Sequence, residues 1–224
     1  MSFGETLDAS MDSMEETRFK KKQSPLIKEL LSKRKVHFTY TEIECLLLIY
    51  YKLQKDGPEK QKAVNKNQFR DLLHNAFDMT DDAMMDRIFS ALDRGPSMYI
   101  SMETWITALS LYLRGTLEEK ITYAFNVYDS MNESVIGRDT MFNLLKSSLI
   151  SQSGEDDAEE AAKDLIEVIT KKMDIDRDGK ISFQDFKETV LKQPMILQAF
   201  GQCLPTRLAT YSFLTTFTPF RGKV

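Results

Sequence analysis

The sequence predicts an all-α fold: four helix-loop-helix units in two paired lobes, with short β-bridges between their loops. Three observations carry this expectation. One loop, Asp174 to Asp185, sets acidic, glycine and aliphatic residues at the spacing of a cation-binding turn. The apolar frame of that loop recurs three more times along the chain. Amphipathic segments of helical period bracket each copy.

The intact loop reads Asp174-Ile175-Asp176-Arg177-Asp178-Gly179-Lys180-Ile181-Ser182-Phe183-Gln184-Asp185. Carboxylates stand at positions 1, 3 and 5, glycine at 6, an aliphatic residue at 8 and a carboxylate at 12, which is the EF-hand pattern. A hard divalent cation takes six to eight oxygens, and this segment can wrap them around one point. Asp174, Asp176 and Asp178 each offer a side-chain oxygen, Lys180 its backbone carbonyl, and Asp185 closes the set. Ser182 occupies the position that usually acts through water. Gly179 permits the sharp turn that a residue with Cβ makes only at a cost. Asp185 is one methylene shorter than the usual Glu, which predicts weaker calcium binding or tolerance of Mg²⁺. The cofactor expected is Ca²⁺, with Mg²⁺ as the alternative.

In this loop Ile181 at position 8 precedes Phe186, the first core residue of the next helix. The same pairing recurs as Ile136 with Met141, Ile100 with Trp105 and Val64 with Phe69. Loop starts then fall at Gly57, Asp93, Asp129 and Asp174, and the position-8 residues are expected to pair as short β-bridges. The ligands follow the frame poorly. The Asp129 loop has Met131 at position 3, Ser134 for the glycine and Thr140 at position 12. The Asp93 loop has Gly95, Pro96 and Ser97 where carboxylates belong, with Thr104 at its end. The Gly57 loop has no ligand at position 1. These three are read as structural hinges.

Period and punctuation place helices at Pro25–Lys33, Thr41–Gln54, Lys66–Ala76, Asp81–Leu92, Ser101–Arg114 and Leu117–Tyr128. Further helices follow at Arg138–Ile150, Asp157–Lys172, Phe183–Lys192 and Pro194–Phe200. Thr80-Asp81-Asp82 reads as an N-cap with acidic residues in the first turn, and Gly115-Thr116-Leu117-Glu118-Glu119 as the break that ends one helix and caps the next. The expected organisation is a flexible tail over 1–24, an N-terminal pair of hands over 25–115, a C-terminal pair over 116–200 and a docking tail over 201–224. Ser151 to Glu160 reads as an acidic link inside the C-terminal pair. The tail residues Tyr211, Phe213, Leu214, Phe217 and Phe220 are too apolar for water, so they insert into the chain's own groove or a partner's, and partner docking is the reading taken.

Composition narrows the classes. The chain has 224 residues, 42% hydrophobic and 29% charged, with a net charge of −4, which gives no reason to expect nucleic-acid binding. No apolar run approaches the roughly 20 residues of a membrane span. Met1-Ser2-Phe3 lacks the glycine for N-myristoylation, so no membrane anchor is expected. Cys45 and Cys203 read as reduced thiols of a cytoplasmic protein. The 12 methionines suit a groove that re-packs around a partner helix or irregular core filling equally well. His37 and His74 lack a paired ligand or nucleophile. No phosphate-binding glycine loop or nucleophile constellation is present, and no enzyme is predicted.

The run Phe69-Arg70-Asp71-Leu72-Leu73-His74-Asn75, followed by Met79-Thr80-Asp81-Asp82 and Asp86-Arg87-Ile88-Phe89, resembles the neuronal calcium sensor superfamily. Trp105, the segment from Leu113 to Lys120 and Ala124-Phe125-Asn126-Val127-Tyr128-Asp129 carry the same likeness, over about residues 40 to 192. The segment Lys171 to Asp185, with Asp at position 12, and the stretch Gln198 to Pro205 are similar to the axonemal, calaxin-like branch. The ligands lost from the Asp93 and Asp129 loops mark a diverged paralogue. The resemblance implies calcium-responsive control in motile cilia and sperm flagella. Its implied partners are outer-arm dynein or the coiled-coil proteins of the docking complex, with the microtubule doublet as a further candidate. Two alternatives stay open: a constitutive axonemal subunit with one Mg²⁺ or Ca²⁺ staple, and a cytosolic sensor of another helical target.

Overall fold

The computed structural model describes residues 12–34, 36–55, 63–93, 98–129, 131–150 and 155–218. In chain order the elements are α1 (Ser13–Ser32), α2 (Tyr40–Lys55), β1 (Val64–Asn65), α3 (Lys66–Phe77), α4 (Asp82–Leu92), β2 (Tyr99–Ile100), α5 (Met102–Arg114) and α6 (Leu117–Tyr128). They continue with β3 (Val135–Ile136), α7 (Arg138–Ile150), α8 (Glu155–Met173), β4 (Ile181–Ser182), α9 (Phe183–Lys192), a 3-10 turn (Pro194–Gln198) and α10 (Arg207–Leu214). The all-α expectation holds, and the only strands among the described residues are two-residue bridges between loops. Val64 pairs with Ile100 and Ile136 with Ile181, both antiparallel, as the position-8 reading requires.

Two compact units emerge. The first draws on Met1–Asp78, Gly95–Gly115 and Pro205–Val224, the second on Met79–Arg94 and Thr116–Leu204. This departs from the linear division at residue 115. Helix α4 packs on α6, so it belongs with the C-terminal hands although its loop and exit helix α5 belong with the N-terminal ones. Long-range packing, which local periodicity cannot reveal, decides that membership.

In the first unit the core centres on Trp105, fully buried, with Tyr50 and Phe69 edge-on at 5.7 and 6.5 Å. Trp105 Nε1 donates to the Leu46 carbonyl at 3.1 Å, so the indole nitrogen is satisfied inside the core. Tyr50 closes the bridge: its hydroxyl accepts from the Val64 amide at 3.1 Å and donates to the Ile100 carbonyl at 2.6 Å. One phenol thus supplements a ladder too short to hold itself. At the far end of α5, Arg114 makes a fork on Glu42, with Nη2 to Oε1 at 2.6 Å and Nη1 to Oε2 at 3.0 Å, and also donates to the His37 carbonyl at 3.0 Å. The His37 amide donates to Ser110 Oγ at 2.7 Å, so the segment leading into α2 is tied to α5 at several points.

Two segments fold differently from the sequence reading. The helix expected to start at Pro25 begins at Ser13, inside the segment taken as a flexible tail, and Pro25 lies within it. A proline inside a helix costs about 3 kcal/mol. Burial of Phe19, Ile27 and Leu30 on one face offsets this, at about 1.5–3 kcal/mol for each side chain. Phe19 stacks on Tyr51 at 4.6 Å. Residues 1–11 lie outside the described residues. The second segment is the C-terminal tail, whose described part, through Thr218, folds onto its own chain; Phe220 lies outside the described residues. Thr206 caps α10, accepting from the Ala209 amide at 3.2 Å, and α10 packs on α3 and α5. Phe213 meets Phe77 at 5.1 Å and Phe217 meets Phe38 at 5.8 Å, with Phe217 fully buried.

In the second unit Phe125, Tyr128, Phe183 and Phe186 form an aromatic cluster with centroids 5.3 to 6.1 Å apart. The chain after α9 seals it. Phe200 stands edge-on to Tyr128 at 5.3 Å, and the Tyr128 hydroxyl donates to the Gly201 carbonyl at 2.7 Å. Helix α8 starts at Glu155, within the stretch read as a link. Met84, Met85 and Met141 are buried core residues, while Met98 and Met131 are exposed. His37 and His74 are both exposed.

Candidate metal centre

Helix α8 ends at Met173, fully buried, and the chain enters the loop at Asp174. Two backbone reversals shape the loop: Arg177 at φ 62° and Gly179 at φ 85°. These turn successive amides inward onto the first carboxylate. The Asp178 amide donates to Asp174 Oδ1 at 3.2 Å and the Gly179 amide to Asp174 Oδ2 at 2.9 Å. The Asp178 amide also reaches Asp176 Oδ1 at 3.3 Å, and the Lys180 amide donates to Asp178 Oδ1 at 2.7 Å. As a result one carboxylate oxygen each from Asp174, Asp176 and Asp178 lies within 4.8 Å of the others. This is the only such acidic grouping among the described residues.

Three like charges so close repel. The Asp178 amide bond lowers the Asp176 carboxyl, but desolvation and the charges of Asp178 and Asp185 outweigh it, and the group sits above its usual range. A divalent cation would relieve that repulsion, and an all-oxygen donor set suits a hard ion.

Asp185 is not part of the convergence. It is buried at 6% exposure, and both its oxygens are engaged: Oδ2 accepts from the Ser182 amide at 3.0 Å and hydroxyl at 2.6 Å, and Oδ1 accepts from the Ile175 amide at 3.3 Å. Ser182, expected to act through water, instead forms a capping box with Asp185 at the start of α9. The position-12 carboxylate therefore links the exit helix to loop position 2.

The Asp129 loop keeps the same shape. Asn132 and Ser134 hold φ of 55° and 63°, the counterparts of Arg177 and Gly179. Asp129 accepts from the Glu133 amide at Oδ1 and the Ser134 amide at Oδ2, both at 2.9 Å, as Asp174 does from Asp178 and Gly179. Met131, at position 3, is 74% exposed and offers no oxygen. The frame persists where the donor set does not. Gly95, Pro96 and Ser97 of the Asp93 loop, and residues 57–62 of the Gly57 loop, lie outside the described residues.

The chain is similar to known EF-hand proteins. The profile of an EF-hand domain pair matches residues 118–191. The chain is 43% identical to calaxin of Xenopus laevis over 187 residues, covering 83% of this chain and 90% of the relative. It is 42% identical to calaxin of Homo sapiens over 188 residues, covering 83% and 89%. It is 27% identical to guanylyl cyclase-activating protein 1 of Lithobates pipiens over 127 residues, covering 57% and 61%. No helix among the described residues is long and apolar enough to cross a membrane.

Proposed function

Because the chain belongs to the calaxin family of EF-hand proteins, a calcium-binding regulatory class of the neuronal calcium sensor type, we propose that it is a regulatory subunit of the motile axoneme. Its seat is outer-arm dynein or the coiled-coil proteins of the docking complex, in cilia and sperm flagella, and the support for that seat is the family likeness. The cation site is the fourth hand. Asp174, Asp176 and Asp178 supply side-chain oxygens and Lys180 its carbonyl, and Asp185 would close the set by exchanging its bonds to Ser182 and Ile175 for the cation. The observation that carries this assignment is the convergence of the first three carboxylates within 4.8 Å on a loop whose amides already orient them. A bound cation supplies charge neutralisation there. The chain's own residues provide the coupling, since Asp185 ties α9 to the loop and Ile181 bridges to Ile136 of the neighbouring hand.

A second reading has its own support. The Asp129 loop keeps its shape without the ligands, so the C-terminal pair holds one cation loop rather than two. A lone site suits a fixed Mg²⁺ or Ca²⁺ staple in a constitutive subunit, because cooperative sensing uses paired sites. Calorimetric calcium titration with and without millimolar Mg²⁺ separates the two. A site in the range of about 10⁻⁷ to 10⁻⁵ M that survives Mg²⁺ supports the sensor. Heat erased by Mg²⁺ supports the staple. Calcium-dependent binding to a dynein or docking-complex fragment then tests the axonemal seat, and binding only to an unrelated helical target overturns it.

A further inference from the structure

We propose that the outer face of α1 is a docking stripe for an extended, glutamate-rich polypeptide, independent of the cation loop and of the axonemal seat. The helix sorts its charges by face. On the inner side Glu15 bonds the Tyr51 hydroxyl at 2.6 Å and pairs with Lys55 at 2.5 Å, while Glu16 pairs with Lys20. Phe19 stacks on Tyr51 between them. The inner carboxylates are thus engaged within the chain. The outer side carries Arg18, Lys21, Lys22 and Lys28, all exposed and, among the described residues, without an ion-pair partner. At 100° per residue these four fall within about a third of the helix circumference. Glu29 is the one carboxylate on that arc, and it pairs with Lys33.

The stripe spans about 15 Å from Arg18 to Lys28, the length of roughly five residues of extended chain. An acidic strand laid along it meets a cation at nearly every second or third residue. The net charge of the whole chain is −4, yet charges more than about 8 Å away are screened at physiological salt, so the local sign governs the encounter. A lipid surface is the poorer fit. A membrane-binding helix inserts a broad apolar face, whereas the exposed apolar side chains on this arc are Met14 and Pro25 alone. Anchoring by Phe19, Ile27 and Leu30 holds the cations in fixed register, which lowers the entropy lost on binding.

The test uses the full chain and a fluorescently labelled oligoglutamate peptide, read by anisotropy across a salt series. Replacing Arg18, Lys21, Lys22 and Lys28 together by Gln is expected to weaken binding about tenfold or more. Replacing the exposed Lys171, Lys172, Lys192 and Arg207 by Gln makes the same change in net charge and is expected to leave binding within about twofold. Unchanged melting of both variants shows that the fold is kept, because these side chains are exposed. Equal weakening by the two variants overturns the stripe and leaves only bulk charge. Stripe-dependent binding to phosphatidylserine vesicles without binding to the peptide overturns the assignment of a polypeptide partner.

Discussion

Ser134 donates its amide to Asp129 Oδ2 at 2.9 Å while holding φ at 63°, the bond and the conformation that Gly179 provides for Asp174. A residue with Cβ occupies the left-handed region at a cost of about 1–2 kcal/mol. The loop has therefore kept a shape that its own sequence disfavours. Replacing Ser134 by Gly should raise stability by about 0.5–1 kcal/mol, part of the relief being lost to glycine's greater unfolded entropy. Thermal melts of the two proteins check this, and a loss of stability would show that the serine makes a contact worth more than the strain.

Asp174 and Asp178 carry the convergence, each engaged by at least one loop amide. Replacing both by Ala should abolish calcium binding in calorimetry. Unchanged affinity in that variant would remove the fourth hand as the cation site.

Asp185 reaches back to loop position 2 through Ile175, yet remains one methylene short of the usual closing residue. Asp185→Glu should raise calcium affinity, since a longer carboxylate can bind through two oxygens. A titration with no gain would mean that the capping box with Ser182, and not side-chain length, sets the position of this group.

Glu42 and Arg114 form a pair whose acid sensitivity follows from its surroundings. Burial alone pushes the Glu42 carboxyl up, but the Arg114 fork and the Thr39 amide and hydroxyl hold it below its usual range. A folded value below the unfolded one means stability that is present above the unfolded pKa, about 4.3, and lost as pH falls through the folded value. Denaturant midpoints measured down to pH 3 should show this loss, and Glu42→Gln should flatten it. Arg114→Ala should cost about 2–3 kcal/mol at neutral pH, because it strands a buried carboxylate.

Phe217 is fully buried against Phe38 and Phe213. Phe217→Ala should destabilise the first unit by about 3 kcal/mol or more, read as a lowered melting temperature. A variant that melts like the parent would mean that the tail is not held there in solution.

Much of this architecture was legible in residue spacing. Val64, Ile100, Ile136 and Ile181 fall where the loop frame puts them because β-bridge pairing and core entry depend on local order. The start of α1 was not legible, since Arg18 to Lys22 and Pro25 mask a helix whose stability comes from Phe19 meeting Tyr51, a contact remote in sequence. Helix α10 was missed for a similar reason: its seat is Phe77 and Phe38, and nothing local to Phe213 or Phe217 identifies them. At the metal centre the donors could be read from chemistry alone. The retained shape of the Asp129 loop could not, because Ser134 reads as a lost glycine while its backbone behaves as one.

Cys203 lies at 0% exposure with the Tyr128 hydroxyl 3.3 Å from its sulfur, and burial pushes its thiol up to about 12. The thiolate that an alkylating reagent attacks is scarce in the folded chain near neutral pH. Modification of this cysteine therefore waits until the segment after α9 peels away from Tyr128. The chain carries its own stopwatch: the rate at which Cys203 is alkylated counts the openings of the segment after α9, with no engineered cysteine needed.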